Sequence, residues 1–335
     1  MESLHSNINA KLTTNNIKKL AKNRITTIRD FLEEDVERVA NILQLGLPCI
    51  LEIRNNIFEH YSAPLLLGPS LLENYSTKQK FLKTGIISID TILDGGLPIG
   101  FITEICGLAG SGKTQLCLQL SINTVKYSQK VVLYIDTKGD FSANRIQEII
   151  EAQGLSHREM AIIMLKIKVA NVFSMPDLLH LLEKIKTKEI VLDNLSLIII
   201  DSLPSLMLQH FGDNNKIGLT FLNQFVNLSR EISKEMELCV VCVNIETRWV
   251  DIDQTDLDDD YNTNLTVQEP SFLEKKNRCL GKYWCNIPVL VLTLERSLID
   301  KGKDSSNITV SLQNFNNLSD NSKTIFLSIN MLGVT

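Results

Sequence analysis

From residue 84 onward, short continuous apolar runs alternate with segments whose apolar positions recur every three or four residues. The runs are FITEIC, TQLCLQLSINTV, KVVLYID, ANRIQEIIEAQ, LSLIIID, FLNQFVNLSREISKEM, LCVVCVN and VLVLTLE. Runs as continuous as LSLIIID and CVVCV, rich in β-branched residues, predict strands covered on both faces. Their alternation with helical spacing predicts an α/β domain with a mainly parallel sheet flanked by helices. Residues 13–62 follow a different period. Apolar positions there fall at helical spacing, as in Ile17, Leu20 and Ala21, then Ile28, Phe31 and Leu32, then Val36, Val39, Ala40 and Leu43. With boundaries at Thr26–Thr27 and at Gly46 to Pro48, this predicts four or five short helices. Residues 63–83 carry two prolines and no sustained period, which predicts a linker. Its Leu65, Leu66 and Leu67, with Tyr61 just before, are candidates for docking into a partner groove or for packing on the chain's own α/β domain. The expected organisation is a helical N-terminal domain over 1–62, a linker over 63–83 and the α/β domain over 84–335.

Composition narrows the functional classes. The chain has 335 residues, 44% hydrophobic and 22% charged, enough to bury a sizeable core in two domains. A net charge of −5 argues against a protein that coats nucleic acid by bulk electrostatics, which needs surplus Lys and Arg. Any DNA contact is therefore local or made through partners. The opening MESLHSNINAKL has no apolar core of signal-peptide length, and no apolar run approaches the roughly 20 residues of a membrane span. An intracellular chain with no membrane partner is expected. The seven cysteines do not form a disulfide framework at this length. Cys239 and Cys242 have C-x-x-C spacing, but in a strand their side chains point to opposite faces, which favours core packing over metal binding. Lys18, Lys19, Lys22 and Arg24 read as a solvated helix face ahead of a basic patch.

The strongest chemical signal is Gly107, Leu108, Ala109, Gly110, Ser111, Gly112, Lys113 and Thr114, which fits G-x-x-x-x-G-K-[ST] after a strand and before a helix. Glycines let backbone N–H groups curl around phosphates, and the following helix adds its positive end. Lys113 is expected to contact the outer phosphates and Thr114 to place its hydroxyl on Mg2+. A second oxygen ligand is expected from Asp201, at the end of LSLIIID. The strand KVVLYID intervenes between the two motifs, a layout of ATPases in which the inserted strand bears a catalytic carboxylate. No guanine-reading N-K-x-D is present, since Asn215-Lys216 continues with Ile-Gly; ATP is the expected nucleotide.

Gly85 to Leu97 and Gly100 to Gln115, with the G-K-T-Q ending and the preceding L-D-x-G-G-L, resemble the RecA/RadA recombinase family of eukaryotes. Tyr134 to Thr137 resembles the family's second strand, Ile200 to Ser202 its Mg2+ strand, and Val243–Asn244 the strand leading to its DNA-facing loop. Ile25 to Leu32 is similar to part of the family's helical N-terminal domain. Leu280 to Trp284 and the short N-terminal domain look most like the D-type recombinase paralogue, a subunit of repair complexes. The resemblance implies a RecA-like P-loop ATPase core, ATP and Mg2+ as ligands, and Gln115 beside the nucleotide. It also implies a hetero-oligomer of related paralogues, contact with single-stranded DNA partly through partners, and a nuclear role in recombination and repair that includes meiosis. Arg145 lies against the nucleotide base by this resemblance; a surface salt bridge is the alternative.

Three departures qualify that picture. Active members carry Glu directly after Tyr-Ile-Asp-Thr, placed to activate water, and this chain has Lys138. An ammonium has no lone pair with which to take a proton, so base catalysis there is expected to be lost unless Asp140 substitutes. The family's Gln after Val-x-Asn is Ile245, which puts the relay from nucleotide to DNA loop in question. The DNA-facing loop holds Asp251, Asp253, Asp256, Asp258, Asp259, Asp260 and Glu269 with no Lys or Arg between Trp249 and Pro270, a charge that repels phosphate. Arg248, Lys275, Lys276 and Arg278 flank it, as a DNA edge or as a solvated basic cluster. The expectation is an ATP-binding scaffold subunit that helps a recombinase filament assemble. The alternatives are an active DNA-dependent strand-exchange ATPase and a small-metabolite P-loop kinase.

Overall fold

A computed structural model of the chain describes residues 3–4, 9, 11–62, 67–69, 80–210, 216–251, 273–297, 306–314 and 323–335. It divides into two compact units, Met1–Lys78 and Gln79–Thr335.

In the first unit, α1 (Thr14–Lys22), α2 (Ile28–Glu33), α3 (Val36–Leu43) and α4 (Leu47–Tyr61) gather Leu20, Phe31, Val39, Leu43, Ile50, Ile53 and Ile57 into one apolar cluster. Each start has a local cause. Thr13 and Asp35 accept from the backbone three residues on, and Pro48 stands in the first turn of α4, where a missing N–H costs nothing. Thr27 and Asp30 form a reciprocal capping box. Tyr61 and Leu67 are exposed, whereas Leu65 and Leu66 lie outside the described residues.

The second unit opens with β1 (Phe81–Leu82), α5 (Ile87–Ile92) and β2 (Leu97–Pro98), β1 and β2 pairing antiparallel. Its body is built from β3 (Ile102–Gly107), α6 (Lys113–Ser128), β4 (Val131–Asp136), α7 (Ala143–Ala152), α8 (His157–Lys166), β5 (Ile167–Asn171), α9 (Met175–Lys186) and β6 (Leu195–Asp201). It continues with α10 (Leu203–Met207), α11 (Lys216–Glu235), β7 (Cys239–Val243), β8 (Glu246–Asp251), β9 (Leu273–Arg278), α12 (Gly281–Cys285), β10 (Leu290–Arg296), β11 (Ser306–Asn314), β12 (Lys323–Asn330) and β13 (Gly333–Val334). Nine strands form one sheet in the order β13-β12-β11-β10-β3-β7-β6-β4-β5. The six from β10 to β5 run parallel, as the continuous apolar runs predict. The C-terminal three add antiparallel.

The two sheet faces carry separate apolar clusters. Ile105, Leu116, Leu120, Leu197, Ile199 and Val241 belong to one; Ile198, Ile200, Val240, Phe225 and Trp284 belong to the other. Cys239 falls in the first and Cys242 in the second, the opposite-face placement expected of residues three apart. Burying each large aliphatic side chain contributes about 1.5–3 kcal/mol, so these faces fix the register of the strand ends. Most of helix α6 is buried, and its buried amides Gln119 and Asn123 are paired. Gln119 donates to Asn123 Oδ1 at 2.9 Å and accepts from Val334 N at 3.2 Å, while Asn123 donates to Thr84 O at 2.8 Å. These bonds hold α6 between the β1–α5 connection and the final strand.

Candidate functional site

The carboxyl ends of β3, β7, β6 and β4 lie side by side, the place where parallel α/β sheets present ligand-binding loops. Asp136 pairs with Asp201 across β4 and β6, and Ile105 with Val243 across β3 and β7. Strand β3 feeds directly into Leu108 to Gly112 and then α6. Gly107, at φ 149°, lies so close to β10 that a Cβ would press into the Leu294 carbonyl. Gly112, at φ 94°, ends the loop in the left-handed region where glycine is at ease.

Lys113 turns its ammonium onto the loop, donating to Gly107 O at 2.9 Å, Leu108 O at 2.6 Å and Ser111 Oγ at 3.4 Å. Burial pushes its pKa below the ordinary lysine range, and the neighbouring Lys138 ammonium pushes the same way. Thr114 Oγ1 donates to Asp201 Oδ2 at 2.7 Å, and the Tyr134 hydroxyl donates to the same oxygen at 2.9 Å. Burial pushes the Tyr134 pKa far upward, which keeps that hydroxyl a donor. Asp201 is 4% exposed. Its other oxygen, Oδ1, accepts no hydrogen bond among the described residues, and Lys138 Nζ stands 3.5 Å from it. Thr114 and Asp201, the two expected oxygen donors, thus stand in direct contact, and they are joined by Tyr134, which the sequence alone did not single out.

The loop after β4 is tightly organised. Asp136 Oδ1 accepts from the backbone N–H groups of Lys138, Gly139 and Asp140, and Oδ2 accepts from that of Phe141. Burial pushes the Asp136 carboxyl up, but these four donors together hold it below the usual carboxylate range. Thr137 Oγ1 donates to Ser202 O at 2.8 Å and accepts from Ser202 N at 2.7 Å. Lys138 is therefore carried on backbone pinned against the end of β6. Asp140, the candidate replacement carboxylate, is exposed.

A second polar cluster lies one strand over. Glu104, fully buried on β3, accepts from Asn244 Nδ2 at 2.6 Å and from Arg278 Nη1 at 2.9 Å. Burial raises its pKa, and Asn244 and Arg278 oppose the rise. Glu104 was not singled out from the sequence, where its one signal is a carboxylate inside the apolar run FITEIC. Arg278 is thus turned inward, and Lys276 pairs with Glu295 at 2.6 Å, so both of these basic residues at the hairpin base are engaged within the chain. Most of the acidic loop between β8 and β9 lies outside the described residues. Ile245 offers only its backbone here, its carbonyl accepting from Cys279 N at 2.9 Å.

Arg145 is pinned within the chain: its guanidinium donates to Gln115 Oε1 at 3.0 Å, Glu148 Oε2 at 3.0 Å and the Asn330 carbonyl at 2.6 Å. These contacts include the salt bridge that stood as the alternative to a base contact, and they tie Gln115 to the C-terminal strands.

The comparisons with known proteins fit this arrangement. A family model described as Rad51 matches residues 77–260. The chain belongs to the Rad51 family. Over 253 residues it is 29% identical to DNA repair protein RAD51 homolog 4 of Mus musculus, covering 74% of this chain and 77% of that protein. It is 31% identical over 227 residues to DNA repair protein RAD51 homolog 2 of Homo sapiens, covering 64% and 58%. DNA repair and recombination protein RadA of Metallosphaera sedula is 27% identical over 180 residues, covering 52% and 55%. Rad51-family proteins bind ATP, and the P-loop and both strand-end acids of this chain lie inside the matched span. No described helix of this Rad51-family chain is long and apolar enough to cross a membrane.

Proposed function

We propose that this chain is an ATP-binding recombinase-paralogue subunit acting in homologous recombination and double-strand break repair. In this reading it helps a recombinase filament assemble on single-stranded DNA, within a nuclear hetero-oligomer of related paralogues. One observation carries the reading: the P-loop lysine and the Thr114–Asp201 pair stand intact beside Lys138, a cation where hydrolysis requires a base. Nucleotide is then a structural ligand. A ligand bound only by the assembled state stabilises that state by mass action.

Gly107 to Gln115 would hold the phosphates through loop N–H groups, the α6 N-terminus and the Lys113 ammonium. Thr114 and Asp201, two hard oxygen donors 2.7 Å apart, fit the preference of Mg2+ for oxygen ligands. When bound, that ion supplies charge neutralisation at the outer phosphates. The domain division at 62 and 83 belongs to this proposal, as does DNA contact routed through partners, because the net charge is −5.

Equilibrium binding of radiolabelled ATP to the purified chain tests the site. Lys113→Ala is expected to weaken binding by about tenfold or more, the equivalent of one charged contact. Unchanged affinity would remove Lys113 from the site and with it this reading.

A further inference from the structure

The ammonium of Lys138 has a definite seat, and nothing in the scaffold role above requires it. Four backbone N–H groups held by Asp136, and the two bonds between Thr137 and Ser202, fix the backbone that carries it. From there Nζ reaches to 3.5 Å from Asp201 Oδ1. That oxygen accepts no hydrogen bond among the described residues, while Oδ2 already takes the hydroxyls of Thr114 and Tyr134. The acid that would serve a metal is thus shared with a cation that belongs to the chain. The Lys138 side chain is 31% exposed, so it can shift from Asp201 toward a phosphate without unpacking the core.

We propose that Lys138 is a built-in counter-cation, so that this site holds the triphosphate of ATP without depending on a divalent metal. The inference rests on the nucleotide reading of the same site. A triphosphate needs its charge matched, and here the Lys113 ammonium and the α6 N-terminus lie at the P-loop while the Lys138 ammonium stands at Asp201, the acid that Thr114 touches. A dication at Asp201 would stand beside the Lys138 ammonium, and like charges at short range disfavour both together. An ionised carboxylate at this position could not pair with Asp201; an ammonium gives Asp201 Oδ1 a cation of the chain's own and removes the base in one substitution.

Radiolabelled ATP in equilibrium dialysis with the full chain, in excess EDTA and in excess Mg2+, tests this. The unsubstituted chain should bind in EDTA within about threefold of its affinity in Mg2+. Lys138→Ala and Lys138→Glu should lose about tenfold or more in EDTA and recover in Mg2+, and Lys138→Arg should keep the metal-independent binding. Binding by the unsubstituted chain that needs Mg2+, or Lys138→Ala that binds in EDTA like the parent, overturns the proposal alone. Absence of ATP binding in both media overturns the nucleotide reading beneath it as well.

Discussion

At the scale of single residues, two positions set what the site can do. Gly107 ends β3 at φ 149° with its hydrogen where a methyl group would enter the Leu294 carbonyl. Gly107→Ala should therefore cost about 2–4 kcal/mol, from backbone strain and displacement of β10 together, read as a lower midpoint in chemical denaturation. An unchanged midpoint would mean that β10 yields freely. The glycine requirement was legible in the sequence because the motif itself spaces the glycines. The seat of Lys138 was legible only in part. Its position after Tyr-Ile-Asp-Thr marked the loss of a base, but its approach to Asp201 depends on the pairing of β4 with β6, which sets Asp136 beside Asp201 across a long stretch of sequence. Arg278 shows the same limit: beside an acidic loop it reads as a surface charge, and only the fold brings it to the buried Glu104 of β3.

At the scale of elements, the helices of the first unit owe their starts to caps, and one cap carries a pH dependence. Asp30 accepts from the backbone N–H groups of Thr26 and Thr27 and from the Thr26 hydroxyl. The backbone donor of Thr27 is the leading cause that lowers its pKa from 3.8 to about 2. Because the folded value lies below the unfolded one, the stability this carboxylate contributes is fully present above about pH 4. It is lost as pH falls through about 2. Asp30→Asn should lower the thermal midpoint of α2 and its neighbours near neutral pH, with the difference from the parent closing toward pH 2. A difference that persists at pH 2 would show that geometry, not charge, makes the cap. Element type followed from the apolar pattern where it was clear, as in the fully buried β6 and the one-sided α11. It failed at the margins of the sheet. Strand β5 has a largely exposed face and reads as polar text, and β11 and β12 mix Ser, Thr, Asn and Gln with apolar residues because an antiparallel extension faces water on one side. These strands nonetheless shape the site, since the Asn330 carbonyl holds Arg145 and Val334 holds Gln119.

At the scale of the molecule, the fold sets the P-loop and the acids of β4 and β6 at neighbouring strand ends, and the proposed scaffold role draws on the charge of the chain. The net charge is −5, and at the hairpin base Lys276 and Arg278 are engaged by Glu295 and Glu104. Membership of the Rad51 family sets the expectation of ATP binding, and the residues after β4 set the expectation that hydrolysis is weak. The most direct test measures ATP turnover by the purified chain with and without single-stranded DNA, alongside ATP binding on the same preparation. Binding with negligible turnover in both conditions, and a rise in turnover on Lys138→Glu, is the result this account predicts. Turnover stimulated by DNA in the unsubstituted chain would contradict it and return the protein to the class of active recombinases.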